Sequence, residues 1–273
     1  MGSRILVTGA AGHLGGKLLR HLSEAGHLVT GLDLMAKTGA EPVHAADQCR
    51  LDSAVQSHFE GQDVVVHLAA DRSPVSQWDT VVPNNIDAVL NVFEAARRAR
   101  VARVVFASSN WVLGGYRFRR NRLQADTVPN PVNPYGMSKL MGERIGAHFA
   151  AAHGITVICT RIGWTQWTHD NQPGAHLAMG AWGQQMWLSD RDFLNGMAAA
   201  ATAPTQGFAI VNLMSDNPGM RWSLDETRRV LGFSPIDGAK AQRLLRVRLT
   251  EMGARFSQST IPDFLKRLSG QDW

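Results

Sequence analysis

Apolar residues along the first 160 positions fall into two alternating rhythms. Ile5 to Thr8, "HLVTGLD" (27 to 33), "DVVVHLAA" (63 to 70), "VARVVFASS" (101 to 109) and "ITVICTRIG" (155 to 163) are short, nearly unbroken apolar runs. That is the pattern of buried strands, and a weaker strand falls near Val43. Between them apolar residues recur at helical spacing: Leu14 to Ala25, Leu51 to Phe59, 85 to 99 with Ile86, Val89, Leu90, Val92 and Phe93, and Tyr135 to Ala152. Strands this apolar cannot leave one face in water, so the alternation predicts a parallel sheet covered on both sides. Right-handed crossovers make it a doubly wound α/β fold of the Rossmann type.

After Gly163 the rhythm breaks. Trp164, Trp167, Trp182 and Trp187 stand in irregular, glycine-punctuated chain, followed by a helix in "DRDFLNGMAAAA" (190 to 201), a strand from Phe208 to Leu213 and a helix from Ser223 to Leu231. The last 35 residues read as a helical tail. The chain thus divides into a Rossmann core, residues 1 to 163, and a small second portion with its tail, 164 to 273, packed on that core.

Composition narrows the class. Hydrophobic residues at 44% and charged residues at 19% fit a globular enzyme and exclude a disordered or fibrous chain. Apolar stretches such as Val64 to Val66 and Ala198 to Ala201 are too short to span a bilayer, and the opening "RILVTG" carries no signal-peptide pattern, so a cytoplasmic protein without membrane contact is expected. Two cysteines, Cys49 and Cys159, argue against a disulfide framework and against a thiolate zinc site. Basic residues are scattered among acidic ones, which disfavours nucleic acid. The exception is "YRFRRNR" (116 to 122), with four arginines, which reads first as a solvated loop and second as an anion-binding rim.

"TGAAGHLG" (8 to 15) sets Gly9, Gly12 and Gly15 between the first strand and the first helix. Gly9 allows a tight turn, Gly12 lets backbone approach a pyrophosphate, and Gly15 allows close helix packing. The pyrophosphate would rest on the helix N-terminus, where unpaired N–H groups favour an anion, with Ala11, His13 and Leu14 around it. Asp33, at the end of the second strand, suits an adenosine ribose and repels a 2′-phosphate, which favours NAD over NADP, although Lys37 lies near. Asp47 is a candidate for the adenine amino group or an ordinary surface residue.

"PYGMSK" (134 to 139) supplies the chemistry. Asn133 is a natural N-cap and Pro134 fits the first helical position, so Tyr135 and Lys139 share one helix face at i and i+4. A free tyrosine, with pKa about 10, is a weak base at neutral pH; a neighbouring ammonium is expected to lower that value.

These segments together resemble the extended short-chain dehydrogenase/reductase family: the glycine loop, "HLAA" (67 to 70), "NI" (85 to 86), "SSN" (108 to 110) and "YGMSK" (135 to 139) follow one another in its order and spacing. "FASSN", "YGMSK" and "RIG" are most similar to stretches of its uronate dehydrogenases. The resemblance implies NAD as cofactor, Tyr135 as the proton acceptor, Lys139 holding the nicotinamide ribose, Ser109 bonded to the reacting oxygen and Asn85 supporting Lys139 through a water. Leu68, Ala69, Ala70 and Ile162 are implied as further cofactor contacts. It implies no metal, and a homo-oligomer paired through the helices beginning near Asn85 and Tyr135. Ser108 is read as merely ending its strand.

Asn110 stands where related dehydratases carry an acid, which disfavours dehydration. The short C-terminal portion suits a small free sugar better than a nucleotide-linked one, so oxidation at C1 to a lactone leads over two alternatives, a nucleotide-sugar epimerase and a non-catalytic NAD sensor. Uronate dehydrogenases carry a serine and then an arginine after "RIG"; here Trp164 follows and no arginine occurs from 164 to 190. An acidic substrate, uronate-like or sulfonated, would then need Arg72, the 117 to 122 cluster, His169 or His176, and a neutral aldose stays open. Ser73 and Asn110 are candidates for sugar hydroxyls. Trp164 and Trp167 either stack on the sugar or pack a lid or interface. His67 is expected to be a satisfied core histidine, and His13 to face solvent or phosphate.

Overall fold

The computed structural model describes residues 2–39, 41–166, 171–173 and 180–241, together with 245, 248, 249, 252 and 253. Strand and helix alternate as β1 (Arg4–Thr8), α1 (His13–Glu24), β2 (Leu28–Asp33), β3 (Val43–Ala45), α2 (Ser53–Ser57), β4 (Val64–His67), α3 (Trp78–Val81), α4 (Ala88–Arg98), β5 (Arg103–Ser109), α5 (Pro134–His153) and β6 (Thr156–Ile162). Then follow α6 (Gly180–Gln185), α7 (Asp190–Thr202), β7 (Phe208–Leu213) and α8 (Asp225–Leu231). All seven strands are parallel in the order β3-β2-β1-β4-β5-β6-β7.

The side-chain period of two divides each strand between two cores. Val7, Val66 and Val105 meet Leu18 and Leu22 of α1 and Phe193 and Met197 of α7 on one face. Leu6, Val65 and Val104 meet Val89 and Phe93 of α4 and Phe149 of α5 on the other. Among the described residues no helix is long and apolar enough to cross a membrane.

Two local departures from the expected elements shape the site. The strand expected over 63 to 70 ends at His67, so Leu68 to Ala70 leave the sheet and become cleft wall. The helix expected from 85 is preceded by α3 and a widened π-helical turn, Val82–Asp87, which holds Asn85 fully buried. Pro83 near its start lacks an N–H to donate, and such widened turns recur at functional sites. The Tyr135 helix begins as expected: Asn133 Oδ1 accepts from the Gly136 N–H at 2.7 Å. It ends on Gly154, at φ +69°.

Candidate active site

A cleft of about 890 Å³ opens beyond the carboxyl ends of β1, β2, β4, β5 and β6, where the strand order reverses. At one end is the glycine loop. Gly9 has φ +72°, and a Cβ there would come within 2.7 Å of the Ala69 nitrogen. A Cβ on Gly15 would come within 2.1 Å of the Gly9 carbonyl oxygen. Both positions therefore demand glycine. Gly12 caps α1 with no side-chain cap and the first turn carries no acid, so the leading N–H groups of a 12-residue helix are left for an anion. This cradle fits a dinucleotide pyrophosphate.

His13, Leu14, Leu68, Ala69, Ala70, Asp33 and Ile162 join the lining. Ala11 does not; its N–H donates to Asp33 Oδ2 at 2.9 Å and its carbonyl accepts from the Lys37 ammonium, so it fixes the carboxylate from behind. Asp47 is also absent from the lining. Its carboxylate accepts from the Cys49 N–H at 3.0 Å, closing its own turn, and Gln48 faces the cleft instead.

Tyr135, Lys139, Ser109 and Asn110 line the same cleft. The buried Lys139 ammonium is 5.7 Å from the Tyr135 ring centre and 5.1 Å from that of Phe106. Ser109 ends β5, accepts from the Trp111 N–H at 3.2 Å and hydrogen-bonds the Tyr135 phenol. Asn110 Nδ2 donates to the Ile162 carbonyl at 3.0 Å, tying β5 to β6.

Electrostatics correct one expectation. Tyr135 is not acidified by its lysine in the protein alone: withdrawal from water raises its pKa, the Ser109 hydrogen bond opposes this and the Asp71 carboxylate adds to it. Burial also lowers Lys139 to about 8. Desolvation is the largest influence on the phenol, with the ammonium 5.7 Å from the ring centre.

A sequence model of the NAD dependent epimerase/dehydratase family matches residues 5–164. The chain belongs to this family. L-arabinose 1-dehydrogenase (NAD(P)(+)) of Haloferax volcanii is 36% identical over 87% of this chain and 98% of its own. The NAD-dependent glucose-6-phosphate dehydrogenase of the same organism is 32% identical over 88% and 95%. A solved uronate dehydrogenase from Agrobacterium tumefaciens, a tyrosine-to-alanine mutant complexed with NAD, superposes with a TM-score of 0.76 at 29% identity, covering 88% of this chain and 86% of that one. The protein is an NAD-dependent oxidoreductase of the extended short-chain dehydrogenase/reductase type.

Several residues of this dehydrogenase were not legible beforehand. Ser108 does more than end its strand: its hydroxyl donates to Glu143 Oε1 at 2.6 Å. Glu143 also takes both Nε and Nη2 of Arg161 at 2.8 Å, with the two side chains 2% and 1% exposed. Arg161 Nη1 donates on to the Ala125 carbonyl at 3.0 Å. Tyr135, Lys139 and Glu143 follow at i, i+4 and i+8, so a buried ion pair pins the face of α5 that carries the site to β5 and β6. The i+8 spacing was the available signal.

Asp71 lines the cleft and accepts from the Ser73 N–H at 2.8 Å and the Ser76 hydroxyl at 2.8 Å. Asn85 sits behind the lining, exchanging bonds with the Asp71 backbone (2.7 and 2.9 Å) and donating to Ser138 Oγ at 3.1 Å, next to Lys139. Ser73, Arg72 and Trp164 are in the lining. The arginine cluster is not: Arg120 and Arg122 border a separate concavity, Arg122 pairs with Asp225 at 2.7 Å, and Arg119 lies over the Tyr116 ring. His67 accepts or donates through Nδ1 to Thr8 Oγ1 at 2.7 Å, while its Nε2 has no partner among the described residues. Burial, with Lys139 nearby, holds its pKa down to about 3, so it is a neutral, half-satisfied core histidine. His13 Nε2 meets the Gln166 carbonyl at 3.0 Å while the residue lines the cleft. Trp167, His169, His176 and most of the expected tail lie outside the described residues.

Proposed function

We propose that this enzyme oxidises a free sugar at C1 to the lactone, with residues 1 to 163 carrying NAD and the portion from 164 carrying sugar contacts. The observation that supports it is the convergence of Tyr135, Lys139, Ser109 and Asn110 in one cleft with the glycine loop. Tyr135, as phenolate, takes the proton of the anomeric hydroxyl. Ser109 holds the reacting oxygen, and Asn110 orients the ring beside it. Lys139 binds the nicotinamide ribose and, once NAD is in place, adds its charge to that of the nicotinamide ring in favouring the phenolate, while Asn85 positions this helix end through Ser138. NAD, when bound, supplies the hydride acceptor and a positive ring charge that favours the phenolate.

Asp33 favours NAD, and Lys37, bonded to the adjoining Ala11, is the cation available to a 2′-phosphate. Sugar candidates are the neutral and acidic aldoses: Arg72 is the lining cation for a carboxylate, sulfonate or phosphate, Ser73 a hydroxyl partner, and Trp164 a surface for the ring. Incubation with NAD and L-arabinose, D-glucose 6-phosphate, D-glucuronate or a sulfonated hexose should yield NADH stoichiometrically with one class, faster as pH rises because the raised phenol must ionise. Tyr135→Phe should lower that rate about 10²- to 10⁴-fold with NAD affinity kept. Retained NAD with sugar turnover and no net NADH would instead make the chain an epimerase, and a fully active Phe variant would sink the mechanism.

A further inference from the structure

Gln166 is 4% exposed and lies in the cleft lining, yet neither its Nε2 nor its Oε1 has a partner among the described residues. Asn110, 5% exposed in the same lining, has its Nδ2 bonded to Ile162 and its Oδ1 left unpaired. Buried polar atoms without partners destabilise a fold, so two such cases in the lining of one cleft call for a ligand.

The main chain beneath them is firmly set. Trp164 donates to the Met186 carbonyl at 2.7 Å and accepts from the Leu188 N–H at 2.9 Å. Gly163 has no room for a Cβ, which would come within 2.3 Å of the Met186 oxygen. His13 Nε2 holds the Gln166 carbonyl from the glycine loop. The unpaired carboxamide is therefore presented by a fixed backbone.

We propose that Gln166 and Asn110 form a subsite that reads sugar hydroxyls, with Gln166 selecting an uncharged polyhydroxylated ring over an acidic one; this rests on the dehydrogenase reading above. The inventory of free groups is two acceptor oxygens and one amide nitrogen with two hydrogens. A hydroxyl both donates and accepts, and so matches such a set. A carboxylate or phosphate only accepts, and would face two carbonyl oxygens with no cation among residues 163 to 166. An acidic sugar would have to turn instead to Arg72 or Lys139, cations of the same lining.

The test compares wild type with Gln166→Leu by calorimetric titration of the NADH-loaded protein with L-arabinose and with D-glucuronate, alongside KM from NADH formation. Wild type should bind L-arabinose more tightly than D-glucuronate. Gln166→Leu should weaken L-arabinose binding and raise its KM by about tenfold or more. NADH affinity should stay within about twofold, and Tm should hold or rise because an unpaired carboxamide is gone. Should that variant fail to fold, Gln166→Asn keeps the amide but withdraws it by one methylene, and the same weakening is expected. Unchanged L-arabinose binding, tighter D-glucuronate binding by wild type, or a parallel loss of NADH affinity overturns the assignment, the last by giving Gln166 to the cofactor. Sugar binding without any NADH formation defeats the dehydrogenase reading alone and leaves the calorimetric ratio to judge Gln166. Binding of neither sugar defeats both.

Discussion

The two ends of the cleft are made of different material. At the glycine loop the surface is backbone, shaped by Gly9 and Gly15, where a single added carbon collides with the chain, and by helix N–H groups that no side chain caps. Around Tyr135 and Gln166 the surface is side chains, each aimed by a partner distant in sequence: Asn110 by Ile162, α5 by the Glu143–Arg161 pair, Gln166 by His13. A pyrophosphate is the same in every dinucleotide and can be held by peptide groups common to all sequences. A sugar is distinguished by its hydroxyls and charge, which only side chains can read. The first end therefore tolerates almost no change in residue type, whereas the second can be retuned if its scaffold is kept.

Breaking the scaffold of the side-chain end should have the largest effect. Glu143→Ala leaves the Arg161 guanidinium buried without its counter-charge, and denaturant unfolding should show a loss of about 3–5 kcal/mol. The pair Glu143→Leu with Arg161→Met should recover most of that stability, because two apolar side chains avoid the desolvation of two ions. If the double variant is as unstable as the single one, the pair is not the unit that holds this end.

Gly9→Ala attacks the backbone end. Positive φ together with the contact to Ala69 should cost about 1–3 kcal/mol, read as weaker NAD binding in a titration, with the sugar end unaltered. Undiminished NAD affinity would show that the loop has slack.

An effect absent at neutral pH and read only on acidification joins the two ends through His67, whose ring lies between Thr8 of β1 and Phe106 of β5. Its folded pKa, about 3, lies below the ordinary 6.5, so the unfolded chain binds the extra proton. Stability from this group is full above pH 6.5 and is lost as pH falls toward 3, at no more than about 1.4 kcal/mol per pH unit. Thermal denaturation across that range should show the slope, and His67→Gln should flatten it.

The fold was legible because burial on both faces leaves a plain mark, an apolar run, in most of the strands, whereas the three-residue β3, in which Val43 alone is buried, left a weak one. Tyr135, Lys139 and the glycines were legible because their geometry is local: i and i+4 on a helix, or a turn between one strand and the next helix. Asp71, Gln48 and Gln166 were not, since an isolated polar residue in a loop looks the same whether it faces water or a cleft. Ser108 and Glu143 carry no local mark of their partnership for a related reason, their bond spanning 35 residues.

By itself, then, the order of residues determined the sheet, the cofactor cradle and the tyrosine–lysine face, all products of short-range periodicity and steric need. Only the tertiary structure decided which way the balance of pKa falls at Tyr135, that the arginines of 117 to 122 lie outside the cleft, and that Gln166 and Asn110 hold unpaired polar atoms within it. Desolvation and hydrogen-bond satisfaction depend on everything packed around an atom, and most of those neighbours are far away along the chain.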